Sequence, residues 1–84
     1  MNILQQVING QLNRITKKDL MNYASQYNIS ITSAQAEKIV SLLKNKQVNI
    51  FDASERTKLL KSVAKITNPE VAKKVNQLFQ QFIN

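Results

Sequence analysis

Apolar residues in this chain occur singly or in pairs and never in longer runs, and this spacing is what most limits its fold. The pairs recur every three to four residues, which is the period of a helix that buries one stripe of its surface. A membrane-spanning helix needs roughly 20 consecutive, mostly apolar residues, and a central parallel strand is a continuous apolar run. The sequence therefore predicts an all-α fold with no membrane span.

The helical spacing is carried by five segments, and all but the first begin at a residue that is able to cap a helix. Ser, Thr, Asp and Asn side chains accept hydrogen bonds from the free N–H groups of a first helical turn. Such residues therefore predict where each helix begins. The predicted N-terminal caps are Thr16, Thr32, Asp52 and Asn68.

The chain has one glycine, so the left-handed residues that commonly end helices must be of another type. Asparagine tolerates a positive φ, and Asn28 and Asn45 are predicted to take this role after the second and third segments. Gly10 lies in the first segment, whose apolar spacing continues to Leu12, so we expect this glycine inside the helix.

No linker or low-complexity stretch separates the five segments. We therefore expect residues 1–84 to form a single domain, a compact bundle of four to five short antiparallel or orthogonal helices. The connection from Val48 to Phe51 is apolar enough to be anchored in this bundle. The sequence leaves open whether it forms a loop or a short extended segment.

Histidine and cysteine are absent from the chain, and nucleophilic triads need an imidazole or a similar base beside serine or cysteine. Phosphate-binding loops need several glycines, and this chain has one. The five carboxylates all lie near predicted helix starts, where a negative charge complements the helix dipole. We therefore expect a protein that is not an enzyme and that has no metal, no cofactor and no small-molecule substrate.

The compartment is suggested by two further absences. The chain has no cysteine for disulfides, and its first residues have neither the positive segment nor the apolar segment of a secretory signal. Both observations agree with a cytoplasmic location, which is the location we expect.

Lysine and arginine outnumber the acids by 12 to 5, which leaves a formal charge of +7. Such a surplus either binds a phosphate backbone or keeps a small domain in solution. The best-ordered lysines share one stripe of the fourth segment, and two more lie on the third. The candidate nucleic-acid-binding residues are Lys58, Lys61, Lys65, Lys38 and Lys44.

Residues 19–44 are similar in shape to a helix-extension-helix DNA-binding motif, although their turn is about two residues too long for a helix-turn-helix. In that interpretation the exposed polar side chains of the third segment face the nucleic acid. The alternative is an ordinary αα-hairpin with no ligand. The residues concerned are Ser33, Gln35, Lys38 and Ser41.

The last segment has an apolar face that is wider than one neighbouring helix covers. It is either the central helix of the bundle or a surface that receives a protein partner or a second copy of the chain. The candidate partner-binding residues are Phe79, Phe82 and Ile83. Tyr23 and Tyr27 lie four apart on the buried stripe of the second segment, and we expect them in the core with their hydroxyls at its rim.

A resemblance to a known family is carried by Ile15-Thr16 with Tyr23-Ala24, and by residues 26–32, 48–51, 55–58 and 64–67. With these residues, nearly the whole chain resembles the YqfT-like proteins, a family of small basic helical proteins of low-GC Gram-positive bacteria with no known function. This resemblance implies a cytoplasmic bacterial protein and brings no activity, ligand or catalytic residue with it.

Two functional hypotheses follow from these residues. The first is a small non-enzymatic protein-interaction or regulatory module, and the alternative is a nucleic-acid-binding protein that uses a lysine-rich helical face.

Overall fold

Side-chain caps divide the chain into five helices in the computed structural model, which describes residues 2–83. No strand occurs among these residues, so the predicted all-α class is confirmed. No helix in the same range is long and apolar enough to cross a membrane. The helices are α1 (Ile3–Asn13), α2 (Lys17–Gln26), α3 (Ser33–Lys46), α4 (Ala53–Ile66) and α5 (Pro69–Ile83).

All four predicted N-terminal caps are confirmed, because each accepts a hydrogen bond from the backbone N–H three residues further on. The donor–acceptor distances lie between 2.9 Å for Asn68 and 3.1 Å for Thr16 and Thr32. The first helix has a cap as well, since Asn2 Oδ1 accepts from the N–H of Gln5 at 2.8 Å.

The prediction of left-handed residues after α2 and α3 is confirmed at the first of these helix ends and wrong at the second. Asn28 has φ 57° and follows α2 as expected, whereas α3 runs past Asn45 and Gln47 has φ 49°. The Gln47 side chain donates to the carbonyl of Lys44 at 2.8 Å, which satisfies one free acceptor of the last turn. Gly10 lies inside α1, as predicted.

The centre of the fold is α3, which packs against α1, α2 and α4, while α5 packs against α4. The buried core draws on three helices and on the connection between α3 and α4. α1 and α2 cover it with side chains that are only partly buried, such as Leu12 and Leu20. The core residues are Ile39, Leu43, Val48, Ile50, Leu59, Val63, Val71 and Phe79.

The connection from Val48 to Phe51 is anchored, as its apolar residues predicted. Val48 is buried and Ile50 retains 1% of its surface, which makes it one of the most deeply buried side chains of the chain. The carbonyl of Ile50 accepts from Arg56 Nη1 at 2.9 Å. This connection therefore acts as part of the core.

Two buried asparagines of α1 hold this connection in place. Asn13 Oδ1 accepts from the N–H of Val48 at 2.9 Å, and its Nδ2 donates to the carbonyl of the same residue at 2.8 Å. Asn9 Oδ1 accepts from the N–H of Ile50 at 3.0 Å, and its Nδ2 donates to Asn49 Oδ1 at 2.7 Å. Asn9 and Asn13 lie four residues apart, which is a rise of about 6 Å along a helix, and Val48 and Ile50 lie two residues apart, which is about 6.6 Å along an extended chain. The two side-chain amides are therefore spaced to bond alternate residues of the connection.

Candidate functional site

The large apolar side chains that remain exposed are gathered on α1, α2 and the last turn of α5. Within residues 2–83, neither α3 nor α4 exposes a side chain of this kind. The exposed fraction is largest at Ile3, with 78%, and smallest at Tyr27, with 45%. The set consists of Ile3, Leu4, Val7, Tyr23, Tyr27 and Phe82.

Three of these side chains line a groove of about 520 Å³ between α1, α2 and the end of α5. We call it the aromatic groove, because Tyr23, Tyr27 and Phe82 lie along it. The buried side chains of Ile50 and Phe79 also line it and form its floor. The groove is therefore an opening above the core with aromatic rings on its walls.

The tyrosines are exposed because the buried face of α2 is centred on other residues. Ala24 is the buried residue of α2, Leu20 and Met21 are half-buried, and α2 packs against α3. Tyr23 and Tyr27 each keep about half of their surface. The expectation that they belong to the core was wrong, because the stripe that α2 buries runs through Leu20 and Ala24 and leaves the tyrosines at its side.

The three predicted partner-binding residues of α5 lie in different surroundings. Phe79 is in the core with 6% of its surface exposed, and Ile83 is partly buried against the same core. Phe82 is about half exposed and lines the aromatic groove. The wide apolar face of α5 thus serves mainly the core, and Phe82 is the member that reaches the surface.

The inner face of α1 consists of two buried asparagines and of Ile8 and Leu12, which are partly buried against the core, and its other apolar residues stay exposed. Asn9 and Asn13 are its buried residues, and Ile3, Leu4 and Val7 point away from them. Residues four apart lie on the same face of a helix, so the spacing of Asn9 and Asn13 is the feature of the sequence that marks this buried face.

Charge in the aromatic groove is confined to the end where α1 turns into α2. Arg14 and Asp19 line the groove there, and the Arg14 guanidinium lies alongside Gly10. The Asp19 carboxylate accepts from the N–H of Thr16 at 3.4 Å as part of a capping box. No charged residue occurs from Ile3 to Asn13 or from Val75 to Ile83, so the rest of the groove is neutral.

The predicted nucleic-acid-binding lysines lie on the opposite helices and are all exposed. Lys58, Lys61 and Lys65 share one face of α4, as their spacing predicted, and Lys38 and Lys44 lie on α3. The ion pair recorded within residues 2–83 joins Lys17 Nζ to Glu37 Oε1 at 2.9 Å, so these five lysines have no carboxylate partner there.

One of the stripe lysines borders a surface depression of about 410 Å³ between α3 and α4. Lys58 and Lys46 both line it, together with the acidic residue Glu55 and with Leu42 and Ser62. The structure thus brings a lysine of the α4 stripe to the same depression as Lys46, which the sequence did not single out.

Gln35, expected to face nucleic acid in the helix-extension-helix interpretation, is occupied within the protein. Its Oε1 accepts from the N–H of Thr32 at 2.8 Å, and its Nε2 donates to the carbonyl of Ile66 at 3.5 Å. Ser33, Lys38 and Ser41 are exposed. In the helix-extension-helix interpretation, one of the four residues expected to contact nucleic acid is therefore already hydrogen-bonded within the protein.

Comparison with known proteins places the whole chain in one family. The family model described as "Protein of unknown function (DUF2624)" matches residues 1–83. The "Uncharacterized protein YqfT" of Bacillus subtilis (strain 168) is 49% identical over 80 residues, which cover 95% of each chain. No solved structure matches the chain. The chain belongs to the DUF2624 family.

Proposed function

We propose that this protein is a non-enzymatic protein-interaction module that receives a segment of another protein in the aromatic groove. The observation that carries this proposal is that one groove is lined by three of the six exposed large apolar side chains, Tyr23, Tyr27 and Phe82. Small proteins rarely leave a continuous apolar surface open to water without using it for binding.

The groove suits binding better than catalysis. Its ionisable side chains are Arg14, Asp19, Tyr23 and Tyr27, and Asp19 already serves as a helix-capping partner. Aromatic rings with a few polar groups at the rim are typical of binding sites that recognise proteins. A cytoplasmic location is part of the same proposal, and the lack of cysteine agrees with a reducing compartment.

Site-specific photo-crosslinking in bacterial cells tests the proposal. A photoreactive phenylalanine analogue replaces Tyr27 in the groove, and the matched control carries it at Lys61 on α4. We expect discrete adducts from position 27 that disappear when Phe82→Ala is added, and none of these adducts from position 61. A position 27 that gives no adduct, or adducts that persist with Phe82→Ala, would contradict the proposal.

The second candidate function is nucleic-acid binding through the α4 stripe, with Lys38 and Lys44 as further contacts. Its support is that Lys58, Lys61 and Lys65 form one exposed face with no carboxylate partner in the described range. Several phosphate contacts would make the affinity fall steeply with salt.

Fluorescence anisotropy with duplex DNA, single-stranded DNA and RNA separates this candidate from a merely charged surface. Micromolar binding that persists at physiological salt and is lost when the three stripe lysines become glutamates would support it. The circular dichroism of that variant should match the parent protein. Binding that vanishes at physiological salt would instead indicate generic attraction by the charge of +7.

A further inference from the structure

The walls of the aromatic groove are mainly helices, whose backbone groups bond along their own axis. Ile15 and Ile50 also line it from the connections between helices, and residues 2–83 contain no sheet edge to which an extended peptide adds. Tyr23 and Tyr27 are separated by one helical turn along one wall, and Phe82 lies on another. An occupant that presents apolar side chains one turn apart is itself a helix.

The exposed edge of α1 extends this surface beyond the groove. Leu4 lies one turn before Ile8, and Val7 lies one turn before Gln11, so each exposed residue adjoins a residue that lines the groove. A docked helix of several turns is therefore able to continue from the aromatic rings onto α1.

Charge determines the kind of helix that fits. The whole protein carries +7, and the charged end of the groove presents Arg14 with the exposed Lys18 close by in sequence. Lys17 is paired with Glu37, so the charges left at this end are the cations of Arg14 and Lys18 and the carboxylate of Asp19, two positive charges against one negative charge. Carboxylates on the occupant would thus meet a small positive surplus at this end and a positive field overall.

Two other occupants agree less well with the same observations. A second copy of the chain brings another charge of +7 to the interface, which opposes association. A bilayer surface is flat and does not fill a groove, and the exposed edge of α1 has no Lys or Arg from residue 3 to residue 13 to hold anionic lipid.

We infer that the aromatic groove binds an acidic amphipathic helix of a partner protein. Apolar side chains one turn apart pack against Tyr23, Tyr27 and Phe82. Asp or Glu side chains at one end of the helix contact Arg14, and the exposed Lys18 adds to the positive field at that end. This inference rests on the proposed function, because it names the partner chemistry for the same groove.

A pair of designed peptides tests the inference with the full chain. The acidic probe is a fluorescein-labelled helix of about 15 residues, or four turns, with leucine at one-turn intervals and glutamate on the flanks. Its twin carries lysine in place of every glutamate. By fluorescence anisotropy we expect the acidic probe to bind at least about tenfold more tightly than the twin, with a dissociation constant that rises with salt.

Variants of the protein locate the binding site. Phe82→Ala should weaken binding of the acidic probe about tenfold, and Arg14→Gln with Lys18→Gln should weaken it about fivefold. The matched control, Lys58→Gln with Lys61→Gln, removes the same charge from α4 and should leave the affinity unchanged. All of these side chains are largely exposed, and thermal unfolding verifies that each variant is folded.

Several results would overturn the inference. Equal affinity for the two peptides would show an apolar docking site that has no preference for acidic side chains. If Lys58→Gln with Lys61→Gln weakened binding as much as Arg14→Gln with Lys18→Gln, the binding site would lie on α4. If the protein formed a dimer that Phe82→Ala dissociates, the occupant of the groove would be a second copy of the chain. If the protein bound phosphatidylglycerol vesicles and Leu4→Ala abolished that binding, the occupant would be a membrane.

The photo-crosslinking experiment separates a failure of this inference from a failure of the proposed function. If neither peptide binds, but position 27 still gives adducts that depend on Phe82, the acidic helix is wrong as the occupant and the proposed interaction module stands. If neither peptide binds and no adduct forms, both are wrong.

Discussion

The two sides of this bundle attach their helices to the core in different ways. On one side, α3, α4 and α5 bury large aliphatic and aromatic side chains in a continuous cluster. On the other side, α1 buries two asparagines and α2 buries an alanine, while their larger apolar residues stay partly or largely exposed. Apolar content alone thus does not tell which residues hold a small domain together, and the α1–α2 side leaves apolar surface exposed.

The largest expected effect compares the same substitution on the two sides. Leu59→Ala on α4 removes a side chain with 4% of its surface exposed, and it should lower the free energy of unfolding by about 2–5 kcal/mol. Leu4→Ala on α1 removes a side chain that is 66% exposed and should change it by less than about 0.5 kcal/mol. Urea unfolding followed by circular dichroism measures both. Similar losses for both leucines would contradict the difference between the two sides.

The next prediction concerns the asparagines that hold α1. Asn13→Leu keeps the approximate size of the side chain but leaves the buried N–H and carbonyl of Val48 without their partners. We expect a loss of about 2–4 kcal/mol in the free energy of unfolding, because each unsatisfied buried group costs about 1–3 kcal/mol. Gln11→Leu on the exposed face of α1 is the control and should be nearly neutral. A stabilised Asn13→Leu variant would mean that burial outweighs these hydrogen bonds.

The smallest effect has the opposite sign and lies on α1 as well. Gly10→Ala should raise the free energy of unfolding by about 0.5–1 kcal/mol, because glycine is a poor helix residue. The added methyl group would meet the tip of the Arg14 side chain at 3.3 Å, and this flexible group can move aside. Thermal unfolding of Gly10→Ala, with the exposed Ser41→Ala on α3 as a reference for helix propensity, measures the gain. A destabilised Gly10→Ala variant would show that Arg14 is fixed in its position.

Local features of the fold were predictable from the sequence because both partners lie within a few residues. Each N-terminal cap bonds a residue three positions away, and every predicted cap is found. The C-terminal end of α3 was placed wrongly at Asn45. The connection that follows α3 is held by Asn13, 35 residues from Val48, and such a distant contact leaves no local pattern in the sequence.

The candidate site was predictable only in part for the same reason. Phe82 was singled out from the width of the apolar face of α5, and it lines the groove. Tyr23 and Tyr27 were assigned to the core, because periodicity shows which residues share a face and not which face meets the neighbouring helix. That choice depends on how α2 packs against α3, where the buried residue of α2 is Ala24.

The two asparagines of α1 also make the attachment of this helix observable by hydrogen exchange. The amide protons of Val48 and Ile50 are bonded to side chains of α1 and not to backbone carbonyls of their own neighbours. Their exchange with solvent deuterium therefore requires α1 to detach, while the core of α3, α4 and α5 is able to stay closed. These two amides would report how often α1 opens, and a ligand that bridges α1, α2 and α5 would slow both of them together.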